Sequence, residues 1–432
     1  MSPSRYCLTL GAAALAIAGA VAAFNYAVDP YLIFNAKRVD GFNALKPAAA
    51  TRERMMKAYQ IARVDANTIV IGSSRADMGI DPASKAWPAA AQPVYNMGLV
   101  GGDVAQGLRY LRHYVAMRPN HPFRTLVIGL DFENDLYVPD EAPPSAKHTM
   151  DETEARLAVD GDGRPNPARA RRVLEDRAQA LLSLDALLDS ITTIHDNPSD
   201  TILSLQPDGR LLDNAMRDVV RTDGYAQIFE HTNRETVKLL GKPHRVLSES
   251  PSAPIRRLAA VRSLLDFAKQ NGSDVILMIQ PAHVSRLELL ERMGYWDDFD
   301  RWKRELAGMA AQAGASQRVV LWDFAGYAPE VLEPAPPKGQ GKMDWFWDQL
   351  HYKPDLGNRM IARMLDAAPV DADPARFGVL LTPQNVEARL AEVRRERAAW
   401  RGAMPQESAR YARMACEAGA CPAHPAALAS AR

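Results

Sequence analysis

The sequence predicts an α/β fold, a doubly wound parallel sheet behind an apolar N-terminal segment, with a long insertion between its third and fourth strands. Two observations carry this. Several short apolar runs are rich in Val and Ile, with Pro93 to Asn96 a weaker one, and runs apolar on both faces suit central parallel strands covered by helices. The segments between them have helical spacing, and strand–helix alternation of this kind argues a parallel sheet. The composition agrees. Of 432 residues, 47% are apolar and 24% charged, the balance of a globular protein.

In chain order, Cys7 to Phe24 carries no charge and reads almost entirely as Ala, Leu, Ile, Val and Gly. With its continuation to Ala27 it is long enough to cross a bilayer as a helix. Tyr26 and Tyr31 are placed to serve as interfacial belt residues. The reading favours an uncleaved, single-pass anchor over residues 1–27. The alternative is a signal peptide cleaved after Ala20-Val21-Ala22, which would release a secreted protein. Arg5 favours a cytoplasmic N-terminus, and Lys37 and Arg38 blunt that bias. Cys416 and Cys421 lie close enough in sequence to pair in an oxidising compartment, or to remain two thiols in a loose tail. Together these hints point to export from the inner membrane into the periplasm or beyond.

The expected strands are Thr68 to Gly72, Pro93 to Asn96, Thr125 to Phe132, Asp274 to Gln280 and Arg318 to Phe324. Val104, Leu108, Leu111 and Val115 form one apolar helical stripe; Leu258, Val261, Leu265 and Ala268 form another. Met360, Ile361, Met364 and Leu365 give the last helix of the sheet domain its buried face. Residues 28–138 and 253–368 are read as the two parts of that domain. Residues 139–252 are read as an insertion, longer than an ordinary connection, with a helix from Pro167 to Ile194. The insertion is either a substrate cap or a structural elaboration. Residues 369–432 hold a Pro/Ala-rich linker's end, a charged helix over 386–401 and an Ala-rich tail.

Several functions are excluded by composition. Lys+Arg and Asp+Glu both number 52, so no basic excess draws nucleic acid. Three cysteines, Cys7, Cys416 and Cys421, make no zinc-type cluster, and no metal or cofactor is expected.

Three features converge on the carboxyl edge of the expected sheet, where open α/β sheets bind ligands. Gly72-Ser73-Ser74-Arg75 follows the first strand, and a serine in such a turn is placed for nucleophilic attack. Asn96-Met97-Gly98 and Gly101-Gly102 follow the second strand, where glycine lets a backbone N–H approach a substrate. Asp348-Gln349-Leu350-His351 precedes the last helix. An acid three residues before a histidine can hold one imidazole nitrogen, leaving the other to take a proton from serine. Singly, these read as a turn, a glycine bend and a surface accident; the order and placement of all three is more specific.

On these residues the chain resembles the SGNH (GDSL-type) hydrolase superfamily over about Asn67 to Leu365. The family's Gly-Asp-Ser block is matched by Gly72-Ser73-Ser74, its second-block glycine by Gly98, and its Asp-x-x-His by Asp348 and His351. The resemblance implies a flavodoxin-like three-layer sheet and a catalytic triad of Ser74, Asp348 and His351. It also implies an oxyanion hole from Ser74 and Gly98 N–H. The third block departs. Where the family has Gly-x-Asn-Asp, this chain has Gly129-Leu130-Asp131-Phe132, and an ionised carboxylate cannot donate to an oxyanion. Loss of one such donor typically costs about 2.7–4 kcal/mol of transition-state stabilisation. Asn134, three residues on, is the candidate replacement.

The variant blocks are similar to a divergent, membrane-anchored branch associated with O-acetylation of exported polysaccharides. That implies an esterase or O-acyltransferase acting on O-acetyl esters of a carbohydrate or acylated polymer, with a membrane acyltransferase as a candidate partner. The alternative is a catalytically weak or inactive scaffold on the same fold that binds polysaccharide. Arg75, Asp131, His283 and Trp347 are candidate substrate contacts. For Trp345, Trp347 and Tyr352, core packing is placed ahead of sugar stacking.

Overall fold

A computed structural model describes residues 2–139, 154–365 and 377–420. The described chain divides into two compact units, each taken here by itself.

The larger unit comprises Asp65–Leu108, His121–Ala146 and Asp218–Arg432. It contains a mostly parallel sheet of six strands: β1 (Thr68–Ile71), β2 (Val94–Asn96), β3 (Thr125–Leu130), β4 (Asp274–Ile279), β5 (Val319–Asp323) and β6 (Val379–Leu380). Their order is β2-β1-β3-β4-β5-β6, with only β6 antiparallel to its neighbour. Register is set along the central pairs, with Thr68 beside Thr125 and Thr125 beside Asp274. Ile69, Val70, Leu126, Val127, Val275 and Leu277 are all buried, the sign of a sheet covered on both faces. The reversal of strand order falls between β1 and β3, so the crevice beyond their carboxyl ends is the natural ligand position.

Two helices of this unit follow expected stripes. Leu258–Gln270 buries Leu258, Val261, Leu265 and Ala268. Pro354–Leu365 buries Leu356, Gly357, Met360, Ile361 and Met364. Two helices near the C-terminus, Val386–Ala403 and Pro405–Glu417, belong to the same unit rather than standing apart as a tail. Arg401 Nε donates to the fully buried Glu288, whose other oxygen accepts from Tyr327. Lys303 Nζ lies 2.8 Å from Asp323 at the end of β5, with both side chains buried. Neither β6 nor the second of these helices is expected from the sequence pattern. Cys416 is disulfide-bonded, and Cys421 lies outside the described residues, as do 366–376 of the linker.

The smaller unit comprises Met1–Val64, Arg109–Asn120 and Lys147–Arg217. The expected boundaries at 28, 139 and 252 therefore shift. Residues 28–64 cluster with the N-terminal helix and with 147–217, whereas 218–252 join the sheet unit. The N-terminal helix, Pro3–Val28, is long and apolar enough to cross a membrane or serve as a signal sequence. Its last turn is sealed inside the unit. The buried Lys46 Nζ donates to Val28 O and Asp29 O, and Asn43 Nδ2 donates to Ala27 O. These bonds satisfy carbonyls that a helix end otherwise leaves open. The single helix expected from Pro167 to Ile194 is instead a pair, Arg169–Leu182 and Leu184–Asp196. The break is local chemistry: Ser183 is extended, and its side chain accepts from Ala186 N, which caps the second helix.

Candidate active site

β1 ends at Ile71, and the chain turns through Gly72 into a short helix, Ser74–Gly79. Ser73 caps it, its Oγ accepting from Arg75 N, so Ser74 is the first helical residue. The first-turn amides of a helix have no intrahelical acceptor. Ser74 N–H makes no other hydrogen bond and remains available.

The acid–base loop is built by a small antiparallel return. Phe346 and Tyr352 are bridged, and Trp347 N donates to His351 O at 2.8 Å. Within it Asp348 folds back on its own loop. Its Oδ1 accepts from the amides of Leu350 and His351, each at 2.8 Å. Its Oδ2 lies 2.7 Å from His351 Nδ1. Burial pushes the Asp348 carboxyl up, yet the His351 charge and these hydrogen bonds outweigh it and hold it below the usual carboxylate range. An ionised Asp348 fixes the proton on Nδ1, so His351 Nε2 accepts. Ser74 Oγ lies 2.8 Å from that nitrogen. Ser74, His351 and Asp348, from two segments 277 residues apart, thus form one continuous hydrogen-bonded chain.

No family model, curated protein or solved structure matches the chain. What the arrangement can do is therefore read from its own chemistry. A half-buried serine hydrogen-bonded to an imidazole that is oriented by a carboxylate can attack an electrophilic carbonyl.

Four expected contacts have other roles. Asp131, at the end of β3, is buried and accepts from Ser73 Oγ at 2.6 Å, from Gln280 Nε2 at 2.9 Å and from Arg75 Nη1. Arg75 is equally committed. Its Nε donates to Leu350 O at 3.1 Å and its Nη2 to Pro281 O, so it reaches no substrate. The Arg75–Asp131 pair is a strut that ties the serine turn to the ends of β3 and β4 and to the acid–base loop. His283 is buried, donates from Nε2 to Glu333 O at 2.7 Å, and accepts on Nδ1 from Ser285 N. Burial pushes its imidazole down to about 4. It caps a helix and is no rival base. Trp347 is buried beneath Lys353, whose Nζ sits 4.2 Å from the ring centre, so it is no sugar platform.

Gly98 also differs from expectation. Its N–H donates to Asn96 Oδ1 at 2.9 Å, and its Cα is packed against the Asp77 backbone, where a Cβ would come within 2.8 Å. Gly102 N–H is also used, by Leu99 O, whereas Gly101 N–H has no acceptor among the described residues.

A cavity of about 200 Å³ opens beside the serine turn, lined by Gly72, Gly102, Asp103, Asn134, Asp135 and Arg257 among others; Ser74 and His351 do not line it. Asn134 reaches it because the chain after Asp131 tightens into the 3-10 turn Phe132–Asp135. One Asn134 N–H is held by Gly102 O at 3.2 Å, which leaves the second free to point elsewhere. Burial pushes the Asp135 carboxyl up to about 7, against the opposing pull of a hydrogen bond from Trp302 Nε1 at 2.6 Å.

Sequence reasoning also missed Gln280 and Tyr352 as parts of the support. Tyr352 OH donates to Gln280 Oε1 at 2.9 Å, and Gln280 in turn holds Asp131. Their placement, one at the end of β4 and one beside His351, was the available signal. Among the described residues no group of three or more His, Cys, Asp or Glu side chains is placed to hold a metal ion.

Proposed function

We propose that the chain is an SGNH-like serine esterase or O-acyltransferase that forms an acyl-Ser74 intermediate. The observation that carries the reading is the continuous Ser74–His351–Asp348 chain at the carboxyl edge of the sheet. His351 takes the Ser74 proton as Oγ attacks the ester carbonyl, then returns it to the departing alcohol oxygen. Water, or the hydroxyl of a sugar, then attacks the acyl-serine by the same route in reverse. Asp348 keeps the His351 proton on Nδ1 throughout. The developing oxyanion is met by Ser74 N–H, with Gly101 N–H as the second donor now that Gly98 is committed. Asn134 supplies the third, replacing the side chain that Asp131 does not provide.

The strand order β2-β1-β3-β4-β5 supports the flavodoxin-like arrangement expected of this superfamily. The apolar N-terminal helix and the disulfide at Cys416 support export with the protein held at the inner membrane and its folded part in the periplasm. An O-acetylated carbohydrate of the envelope, handed on by or to a membrane acyltransferase, is the substrate class that fits such a location.

Chromogenic acetyl-ester hydrolysis by the full chain tests this. Ser74→Ala and His351→Ala are expected to bring turnover to background, and Asp348→Ala to lower kcat by about 10⁴-fold. A serine-directed fluorophosphonate should label wild type and not Ser74→Ala. Equal slow turnover by wild type and Ser74→Ala, with no labelling of either, would leave the polysaccharide-binding scaffold as the reading.

A further inference from the structure

The helix pair Arg169–Leu182 and Leu184–Asp196 is clamped to the last turns of the N-terminal apolar helix. Asn25 Nδ2 donates to Leu181 O at 3.0 Å, and Ser190 Oγ donates to Asn25 Oδ1 at 2.8 Å. Asn25 and Ser190 are fully buried, so the corner between the paired helices is fixed against the end of the apolar helix. Tyr31 OH adds a bond to Asp189 Oδ2 at 2.5 Å, and Arg52 pairs with the same carboxylate.

The outward face of this pair is inverted for a water-soluble helix. On the second helix Ala186, Ser190 and Thr193 are buried, while Leu184, Leu188 and Ile191 are 69%, 54% and 51% exposed. At about 100° per residue, the buried and exposed sets fall on opposite sides, and it is the small and polar residues that face inward. The first helix repeats the pattern. Asp176 and Ala180 are buried, and Leu174 and Leu182 are 69% and 58% exposed on the other side. So many large apolar side chains on one face, shared only with exposed residues such as Arg171 and His195, mark an interaction site rather than chance exposure.

We infer that this surface is a foot that rests in the interfacial layer of the same bilayer that the N-terminal helix crosses. The inference rests on reading that helix as a membrane span. Continuity selects the occupant: the end of the apolar helix is bonded through Asn25 to Leu181 O, so the corner that carries the exposed Leu182 and Leu184 is held at the end of the span. Charge does not drive the contact. Across the two helices the four arginines face Glu175, Asp176, Asp185, Asp189 and Asp196, so little net charge remains and adsorption depends on apolar burial and withstands salt.

The test uses the full chain with Cys7→Ser, reconstituted in vesicles of phosphatidylethanolamine and phosphatidylglycerol. Single cysteines introduced by Leu184→Cys, Leu188→Cys and Ile191→Cys carry an environment-sensitive fluorophore, with Asp162→Cys as an exposed control in the same unit. Blue-shifted emission quenched by brominated lipid at the first three positions, absent at the control and unchanged in high salt, is the expected result. Water-like emission at all four positions, in a chain that floats with vesicles and resists carbonate extraction, overturns the foot and leaves the membrane span intact. A chain that does not float overturns both. Protection without lipid quenching, reversed on dilution, assigns the surface to a second copy and also overturns the proposal. A Leu184→Asp/Leu188→Asp variant of unchanged circular dichroism should lose quenching at Ile191→Cys while remaining carbonate-resistant; retained quenching overturns the foot.

Discussion

Asp131 accepts from three side chains, and one of these, Arg75, makes its ion pair with this carboxylate. Replacing one partner of a buried ion pair typically costs about 3–5 kcal/mol, because the other charge is left uncompensated. Asp131→Asn should therefore lower the melting temperature sharply and should lower ester turnover as the acid–base loop loosens. The opposite outcome, faster turnover at unchanged stability, would mean that Asp131 stands at a vacant oxyanion-donor position after all. The residue type was legible in the sequence and its role was not. An acid at the end of a strand reads as a site residue, and only the fold brings it against an arginine 56 positions away. The serine, the histidine and the carboxylate were legible because each stands at a strand or helix end with a spacing its chemistry requires. The choice among Gly98, Gly101 and Gly102 was not, since it turns on which amide the Asn96 side chain already occupies.

The helix that begins at Ser74 and the helix that follows the Asp348–His351 loop touch through glycine. A Cβ on Gly357 would fall within 1.9 Å of Gly79 O, and one on Gly79 within 2.1 Å of the Tyr352 ring. Gly357→Ala must therefore push Pro354–Leu365 away from Ser74–Gly79, and it does so five residues after the strand-like return that holds His351. Overpacking of this kind commonly costs about 1–3 kcal/mol. The larger expected effect is on kcat, with KM little changed, because the Ser74–His351 distance lengthens; steady-state kinetics on the purified variant measure the split. At this scale the five parallel strands were readable, since runs of Val and Ile buried on both faces leave few other interpretations. β6 was not, for two residues carry no periodicity. The break at Ser183 was hidden because its leucine-rich flanks continue a helical pattern that the serine cap interrupts.

Among the described residues each unit holds one buried histidine whose imidazole is pushed down by burial, so acid acts on both. His113, in the smaller unit, donates from Nε2 to Ala58 O and accepts on Nδ1 from Ala158 N. Burial pushes it down to about 4, as it does His283 in the sheet unit. A histidine held neutral binds fewer protons folded than unfolded once the pH drops below 6.5. Its contribution is complete above that value and is lost as the pH falls toward about 4, costing about 3 kcal/mol for each residue. Melting temperature measured from pH 7.5 downward should fall steeply across this window. His113→Gln should flatten the slope in the smaller unit, even if it melts lower at neutral pH. The two units also differ in how far they could be foreseen. Both are assembled from three separated stretches of chain, but the strands of the sheet unit show a local pattern, whereas the smaller one depends on contacts such as Lys46 with the end of the N-terminal helix.

The strut between Arg75 and Asp131 has a consequence for descent. Neither position can drift alone, because either single exchange strands a charge in the interior. Chains that share this device should therefore carry the arginine directly after the serine whenever an aspartate closes the third strand, and the two should be gained and lost as a pair. A search keyed to the familiar asparagine would pass over such chains, whereas one keyed to the paired exchange would gather them.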